Sequence, residues 1–521
     1  MEDIFLKAVD NISVTEKGAQ GYKSTFDPMV DFSFRLASYR RKESKDIEED
    51  FEKVLDSKNE NVLRFLFYIR DIKNGLGERR TFRICLKKFA ASEFQEKGKI
   101  IAHVCDYIME YGRADDIFCL LDDDVDASVQ DIAYDFIERT FMRDMIAFSK
   151  GENVTLLAKW LPSENASSKV TRRLAAKIRK RLSLAPKVYR KALRAMRSKL
   201  NIVERNMSAN DWDKVDYNAV PSCANLAYKE AFMRHDGPRR SQYLSDLEKG
   251  KKGLKMNSSA VFPYDIVHKY MSKLGFEEKA GEEDATLELA WKNLKDASGL
   301  DSCLVVADGS WSMYSYVSLN SRVTAQDVAY SIAIYGAQHL KGEYNGKMIT
   351  FSSTPRFLDI SQKRSLKDIL EYLEENGEVA NTNIEAVFNL ILGVAVSKNL
   401  RQEDLPRTIL IISDMEFDEC VVDADNDSID RFNNPIEIAG ERFERHGYKL
   451  PKLVFWNVGS RSNTVPILQN DLGVTLISGF TPNLYEGVAL GECDSKAMLE
   501  KTLNGERYSK IEKIAFEEAK K

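Results

Sequence analysis

Up to residue 298, apolar positions recur three and four apart, the period of a helix with one buried face. Stretches 46–57, 59–72 (Leu63 with Phe67, Leu66 with Ile69), 79–89, 98–110, 125–148 and 156–160 follow it, separated by Gly, Asp or Pro punctuation. The same period predicts helices over 169–182, 186–200, 220–234, 237–249, 267–274 and 285–296. Residues 1–30, broken by Gly18, Gly21 and Pro28, read as irregular. Strand alternation is almost absent, so the pattern predicts stacked amphipathic helices: an α-helical repeat domain, HEAT-like in type. No fixed repeat length emerges from the spacing.

At Gly299 the pattern changes. Short apolar runs at 304–307, 347–351, 355–358, 407–413, 452–458 and 474–477 alternate with helical stretches at 324–340, 366–376, 384–398 and 436–446. Thr408-Ile409-Leu410-Ile411-Ile412 has no polar alternation, as in a strand covered on both faces. Strands alternating with helices predict a doubly wound, mostly parallel α/β sheet, closed by helices at 495–503 and 507–519. The expected domains are therefore 1–298 and 299–521. A chain of 521 residues exceeds what one core usually serves, which agrees with two.

Composition narrows the class. Hydrophobic residues at 43% and charged residues at 30% are ordinary for a water-soluble chain. No apolar run approaches the roughly 18–20 residues of a membrane helix, so no membrane partner is expected. Seven scattered cysteines without a CxxC pair point to reduced thiols and a cytoplasmic setting rather than a zinc or disulfide framework. The five histidines are equally dispersed.

The net charge of −5 hides an uneven distribution. From Lys169 to Arg205 the cations crowd together with Glu204 as their sole acid. Leu174, Ile178 and Leu182 mark a buried stripe in the first basic helix, and Val188, Leu193 and Met196 in the second. That leaves Arg172, Arg173, Lys177, Arg179, Lys180, Arg181, Lys187, Arg190, Lys191, Arg194 and Arg197 for the outside, with Tyr189 free to stack. Such a surface fits a polyanion, above all RNA phosphates. The bland alternative is a solvated face, or one neutralised by acids at 48–52 and 122–126.

The stretch with the clearest chemistry is Ser302-Cys303-Leu304-Val305-Val306-Ala307-Asp308-Gly309-Ser310-Trp311-Ser312. It runs from a buried strand into one carboxylate and two hydroxyls. At the carboxyl edge of an α/β sheet, where ligands bind, those hard oxygens suit Mg²⁺. An N-cap cluster is the competing explanation. Two further turns carry oxygen donors: Asn381-Thr382-Asn383 ahead of a helix, and Ser413-Asp414-Met415-Glu416-Phe417-Asp418 after a strand.

Asp308-x-Ser310-x-Ser312, with Thr382 and Asp414 following in order, resembles the metal-ion-dependent adhesion site of von Willebrand factor A domains. There a threonine and an aspartate from later loops join the first loop around Mg²⁺, so the resemblance implies the metal ligands Asp308, Ser310, Ser312, Thr382 and Asp414. Trp311 stands where that family has a small glycine, and a bulky ring there can cover the ion or reshape a partner surface. The whole chain also resembles the Ro class, a helical-repeat (TROVE) ring joined to an A domain, and more closely a TROVE-related family of bacteria, phages, large viruses and plants. The residues carrying this are Arg70-Asp71-Ile72-Lys73-Asn74-Gly75-Leu76-Gly77-Glu78-Arg79, Tyr111-Gly112-Arg113-Ala114-Asp115-Asp116, 156–162, Pro221-Ser222 and 413–418. The resemblance implies a non-catalytic scaffold for small structured or misfolded RNA, whose A domain recruits a second protein.

Two other functions compete. A metal-dependent protein–protein adaptor without RNA explains the same motifs if internal acids neutralise the basic helices. A two-metal hydrolase built on Asp414, Glu416 and Asp418 beside Asp308 lacks an accompanying histidine, lysine or GxxxxGK[ST] loop. Glu416 and Asp418 are then expected as solvent-facing loop acids or helix-start acids.

Overall fold

In a computed structural model, the described residues are 11–15, 20–200, 202–258, 260–272, 283–294, 303–341, 344–351, 355–377, 384–416, 435–461, 465, 474–489 and 494–515. By packing, the chain divides into two compact units. One comprises Met1–Asp46, Pro221–Ala227 and Leu247–Lys510; the other comprises Ile47–Val220, Tyr228–Asp246 and Ile511–Lys521. The expected boundary at 298/299 follows the change of pattern, but packing draws the line elsewhere.

The helical unit is built as its periodicity dictates. Helices Val62–Arg70, Arg79–Ala91, Lys97–Tyr111 and Ala127–Ser149 bury the apolar stripes that defined them, with Leu66, Phe82, Leu86, Ile101, Val104 and Ile108 fully inside. Among the described residues, helix lengths in this unit run from four residues (Leu157–Trp160) to 23 (Ala127–Ser149). Helix Lys229–Glu248 is kinked at Asp236, just ahead of Gly237 and Pro238, because proline cannot continue the hydrogen-bond ladder.

The other unit holds two sheets. A hairpin of β1 (Ile12–Val14) and β2 (Gln20–Tyr22) lies in the stretch expected to be irregular. The main sheet contains β3 (Cys303–Asp308), β4 (Lys347–Phe351), β5 (Arg356–Asp359), β6 (Thr408–Ser413), β7 (Lys452–Asn457) and β8 (Val474–Ser478), in the spatial order β5-β4-β3-β6-β7-β8. Every pairing is parallel except β4 with β5. The central strands β3, β6 and β7 are buried along nearly their whole length, which is why they read as unbroken apolar runs. Helices Ile384–Ser397 and Pro435–Arg445 cover one face through Val387, Phe388, Ile391, Ile436 and Phe443, while Ala325–His339 packs against β3, β4 and β6. Leu484–Ala489 is a helix that the spacing did not predict, and of the expected helix over 507–519 the described residues show only the end of a 3-10 turn, Glu506–Tyr508.

The N-terminal segment joins this unit through backbone groups. Asn457 Nδ2 donates to the Phe34 carbonyl (2.8 Å), and the Ala37 amide donates to Ser478 Oγ (3.0 Å). Residues before the helical unit therefore sit on the carboxyl ends of β7 and β8. Helix Pro263–Met271 packs on Ala325–His339, with His268 Nδ1 2.8 Å from Asp327 Oδ2. Two attachments, the first buried and the second half-buried, thus pull segments from outside 299–521 into the sheet unit.

Candidate functional site

Chain order reverses between β3 and β6: β4 and β5 lie on one side of β3, while β6, β7 and β8 lie on the other. Such a reversal opens a crevice at the carboxyl edge. Ala307 pairs with Ile412, so Asp308 and Ser413 close adjacent strands at the same level. Both are fully buried.

Asp308 is fixed by two donors. Its Oδ1 accepts from the Ser310 amide (2.8 Å), and its Oδ2 accepts from the Ser413 hydroxyl (2.6 Å). The Ser310 and Ser312 hydroxyls face each other at 2.8 Å. Ser413 Oγ also accepts from the Met415 amide (3.0 Å), tying the turn after β6 to the same point. Met415 holds a left-handed backbone (φ 63°), a conformation that costs a non-glycine residue about 1–2 kcal/mol. That local strain is retained at the site.

Asp414 is almost wholly buried, and its Oδ2 has no hydrogen bond among the described residues. The nearest cation to it is Arg461, whose Nη2 is 3.9 Å away. Burial, then the neighbouring Asp414 charge, raises the Asp308 carboxyl above the usual carboxylate range. Burial likewise raises Asp414, against the pull of the Ser312 hydroxyl and Arg461. Two desolvated carboxylates with hydroxyls beside them make an all-oxygen donor set that fits a small hard cation. Among the described residues, no group of three or more His, Cys, Asp or Glu could hold an ion, so hydroxyls would have to complete any shell. Thr382 lies outside the described residues, as does Asp418.

The surroundings were less visible in the sequence. Glu416 is no solvent-facing acid: it is fully buried, and its Oε1 accepts from the Arg461 amide (2.8 Å) and the Ser460 hydroxyl (3.4 Å). Burial, relieved in part by Asp414, holds the Arg41 guanidinium below its ordinary pKa, and Arg41 Nη2 donates to Ser315 Oγ (2.9 Å). Neither Arg41 nor Arg461 carries a local signal, because sequence separation conceals the approach. Trp311 points outward, 65% exposed, with Tyr316 and Leu319 also exposed. It does not wall off the turn.

In the helical unit, helices Lys169–Arg181 and Pro186–Lys199 form as expected, the first capped by Ser168 and the second opened by Pro186. Several of the predicted contacts are already committed. Tyr189 is completely buried and its hydroxyl donates to the Pro162 carbonyl (3.0 Å), so it cannot stack on a base. Arg197 turns inward to the carbonyls of Ala158 (2.8 Å) and Leu161 (2.7 Å), whereas Val188, expected inside, is exposed. Arg179 binds Glu164 (2.7 Å), and Arg190 stands 3.6 Å from the same carboxylate. Lys177 pairs with Asp123, Arg181 with Asp135 (2.6 Å) and Asp131 (3.3 Å), and Arg172 donates to the carbonyls of Ala166 and Ser167. Arg173, Lys180, Lys187, Lys191 and Arg194 are exposed and make no ion pair among the described residues.

Residues 302–519 match a domain of unknown function (DUF7788), and residues 140–298 match a second domain of unknown function (DUF2828). The chain is 26% identical over 513 residues to "Uncharacterized protein L728" of Acanthamoeba polyphaga mimivirus, covering 92% of this chain and 85% of that protein. Among solved structures it is similar to the Ro (RSR) protein of Deinococcus radiodurans. That match has 15% identity and a TM-score of 0.46, covering 89% of this chain and all of the other. At that score the likeness does not establish a shared fold.

Proposed function

We propose that this chain is a non-catalytic RNA-binding scaffold whose sheet edge holds Mg²⁺ and recruits a second partner. The observation that carries the RNA part is the exposed group Arg173, Lys180, Lys187, Lys191 and Arg194 on two consecutive helices, which make no ion pair among the described residues, although Arg173 lies near Asp123. Phosphates would neutralise them in a sequence-independent way. The Ro resemblance of the sequence supports the same function; an RNA threading a ring of helices is its finer form. At the sheet edge, Asp308, Ser310, Ser312 and Asp414 would hold the cation directly or through waters. Bound Mg²⁺ would supply an open position for a partner's carboxylate, and the exposed Trp311 and Tyr316 would border it.

A filter-binding salt series on the full chain tests the RNA part. Replacing Lys187, Lys191 and Arg194 with glutamate is expected to cut the slope of log K against log salt by about 2, roughly 0.7 per lost single-strand phosphate contact. An unchanged slope refutes RNA binding by these helices. One observation favours the adaptor instead: Asp123, Asp131, Asp135 and Glu164 already neutralise Lys177, Arg181 and Arg179. The adaptor predicts protein-like ultraviolet absorbance after purification, and loss of a protein partner on Asp308→Ala.

A further inference from the structure

A second, more tightly built cluster of arginines lies in the helical unit, away from helices Lys169–Arg181 and Pro186–Lys199 in sequence. Arg70, nearly buried, donates from Nε to Asp116 Oδ2 (2.6 Å). Arg83 donates from Nε to the other oxygen of Asp116 (2.9 Å) and from Nη2 to Asp115 Oδ2 (2.8 Å). Arg113 grips Asp115 through Nε (2.8 Å) and Nη2 (2.6 Å) and lies 3.7 Å over the Trp160 ring. Two carboxylates thus fix three guanidiniums. A fourth, Arg79, has no ion pair or hydrogen bond among the described residues, yet it sits near both Arg83 and Arg113. Burial, and next the charges of Arg113 and Arg83, hold its pKa below the ordinary value.

Four guanidiniums stand against Asp115, Asp116 and, one residue before Arg79, the buried Glu78, which leaves a surplus of positive charge at this surface. Arg79 is also the first residue of helix Arg79–Ala91, whose N-cap residue, the buried Glu78, makes no side-chain capping hydrogen bond and whose first turn has no acid. The positive end of the helix adds to that surplus. The approach to it is rigid. A Cβ on Gly75 would fall 2.2 Å from the Tyr68 carbonyl, and Gly77 adopts φ +72°, so this turn tolerates little variation. Arg83 and Arg113 commit Nε and Nη2 to the aspartates, so their Nη1 groups and the Arg79 fork are the donors that remain for phosphate oxygens.

We propose that Arg79, Arg83 and Arg113 form a binding site for a phosphate monoester, carried either by a free nucleotide or by the end of an RNA strand. It needs none of the cations on Lys169–Arg181 or Pro186–Lys199. Trp160, under Arg113, is its optical reporter.

The test uses the full chain. Inorganic phosphate and adenosine monophosphate are titrated calorimetrically and by tryptophan fluorescence, with Trp160→Phe identifying the reporter. A short RNA with a 5′-phosphate is compared with its 5′-hydroxyl twin. Arg79→Gln, checked for unchanged circular dichroism, is expected to weaken phosphate binding about tenfold. If it also removes a preference for the phosphorylated RNA, the source is a strand end. If only phosphate and the mononucleotide lose affinity, the source is a free monoester; both outcomes support the site. Absence of phosphate binding by the wild-type chain, or equal binding by Arg79→Gln, overturns it. The Lys187, Lys191 and Arg194 charge-reversal variant should keep phosphate binding, which separates this site from the proposed RNA surface.

Discussion

Replacing Asp308 with asparagine should stabilise the metal-free protein while removing its response to magnesium. Asp308 and Asp414 are both buried, and each carboxyl is held above its usual range chiefly by that burial. A raised folded-state pKa means that this contribution to stability is fully present below the unfolded value, 3.8, and is lost as pH climbs through the folded value. The metal-free protein is therefore expected to weaken from about pH 4 to about pH 7, the window set by the rise of Asp308 from 3.8 to about 7. Asparagine keeps an acceptor for the Ser310 amide, and the Ser413 hydroxyl can turn to meet its amide, so the turn survives. Each tenfold change in proton affinity is worth about 1.4 kcal/mol, so relief of one buried charge is worth about 1–3 kcal/mol at pH 8. Magnesium at 100 times its dissociation constant should return about 2.7 kcal/mol to the wild type and nothing to the variant. Thermal unfolding at pH 5 and pH 8, in chelator and in excess Mg²⁺, reads all four states. The reasoning fails if the variant is the less stable protein in chelator at pH 8, or if it still gains stability from Mg²⁺.

Asp116→Ala should cost about 3–5 kcal/mol in chemical denaturation, because it strands the nearly buried Arg70 without its carboxylate; a loss below 1 kcal/mol would show that Arg70 finds water instead. Gly336→Ala would ordinarily favour a helix by about 1 kcal/mol. Here the new methyl would stand 2.1 Å from the Tyr485 hydroxyl, which donates to the Ile332 carbonyl, so a net loss of about 2 kcal/mol or more is expected. Adding Tyr485→Phe should recover part of it, and a stabilised single variant would contradict the packing. Arg197→Ala should lower stability by about 1–2 kcal/mol and leave RNA affinity nearly unchanged, since its donors serve internal carbonyls; the opposite pattern would return it to the RNA surface.

The sequence by itself determined the elements with strong local periodicity. The β-branched run at Thr408–Ser413 and the helix Leu366–Asn376 need no partner to be legible, since strand burial on both faces and a one-faced helix each write their period into adjacent residues. It also made the candidate oxygen donors at 308, 310, 312 and 414 legible, because oxygen-bearing residues at strand ends form a short local pattern. Tertiary structure alone decided what lies around them. The strand order, the antiparallel edge of β5, the placement of Arg41 and Arg461 near Asp414, and the burial of Glu416 arise from contacts between distant segments. Tyr189 and Arg197 make the same point in the helical unit. Charge and aromatic character are properties of a residue, but whether they face solvent depends on Pro162, Ala158 and Leu161, which another stretch of chain supplies.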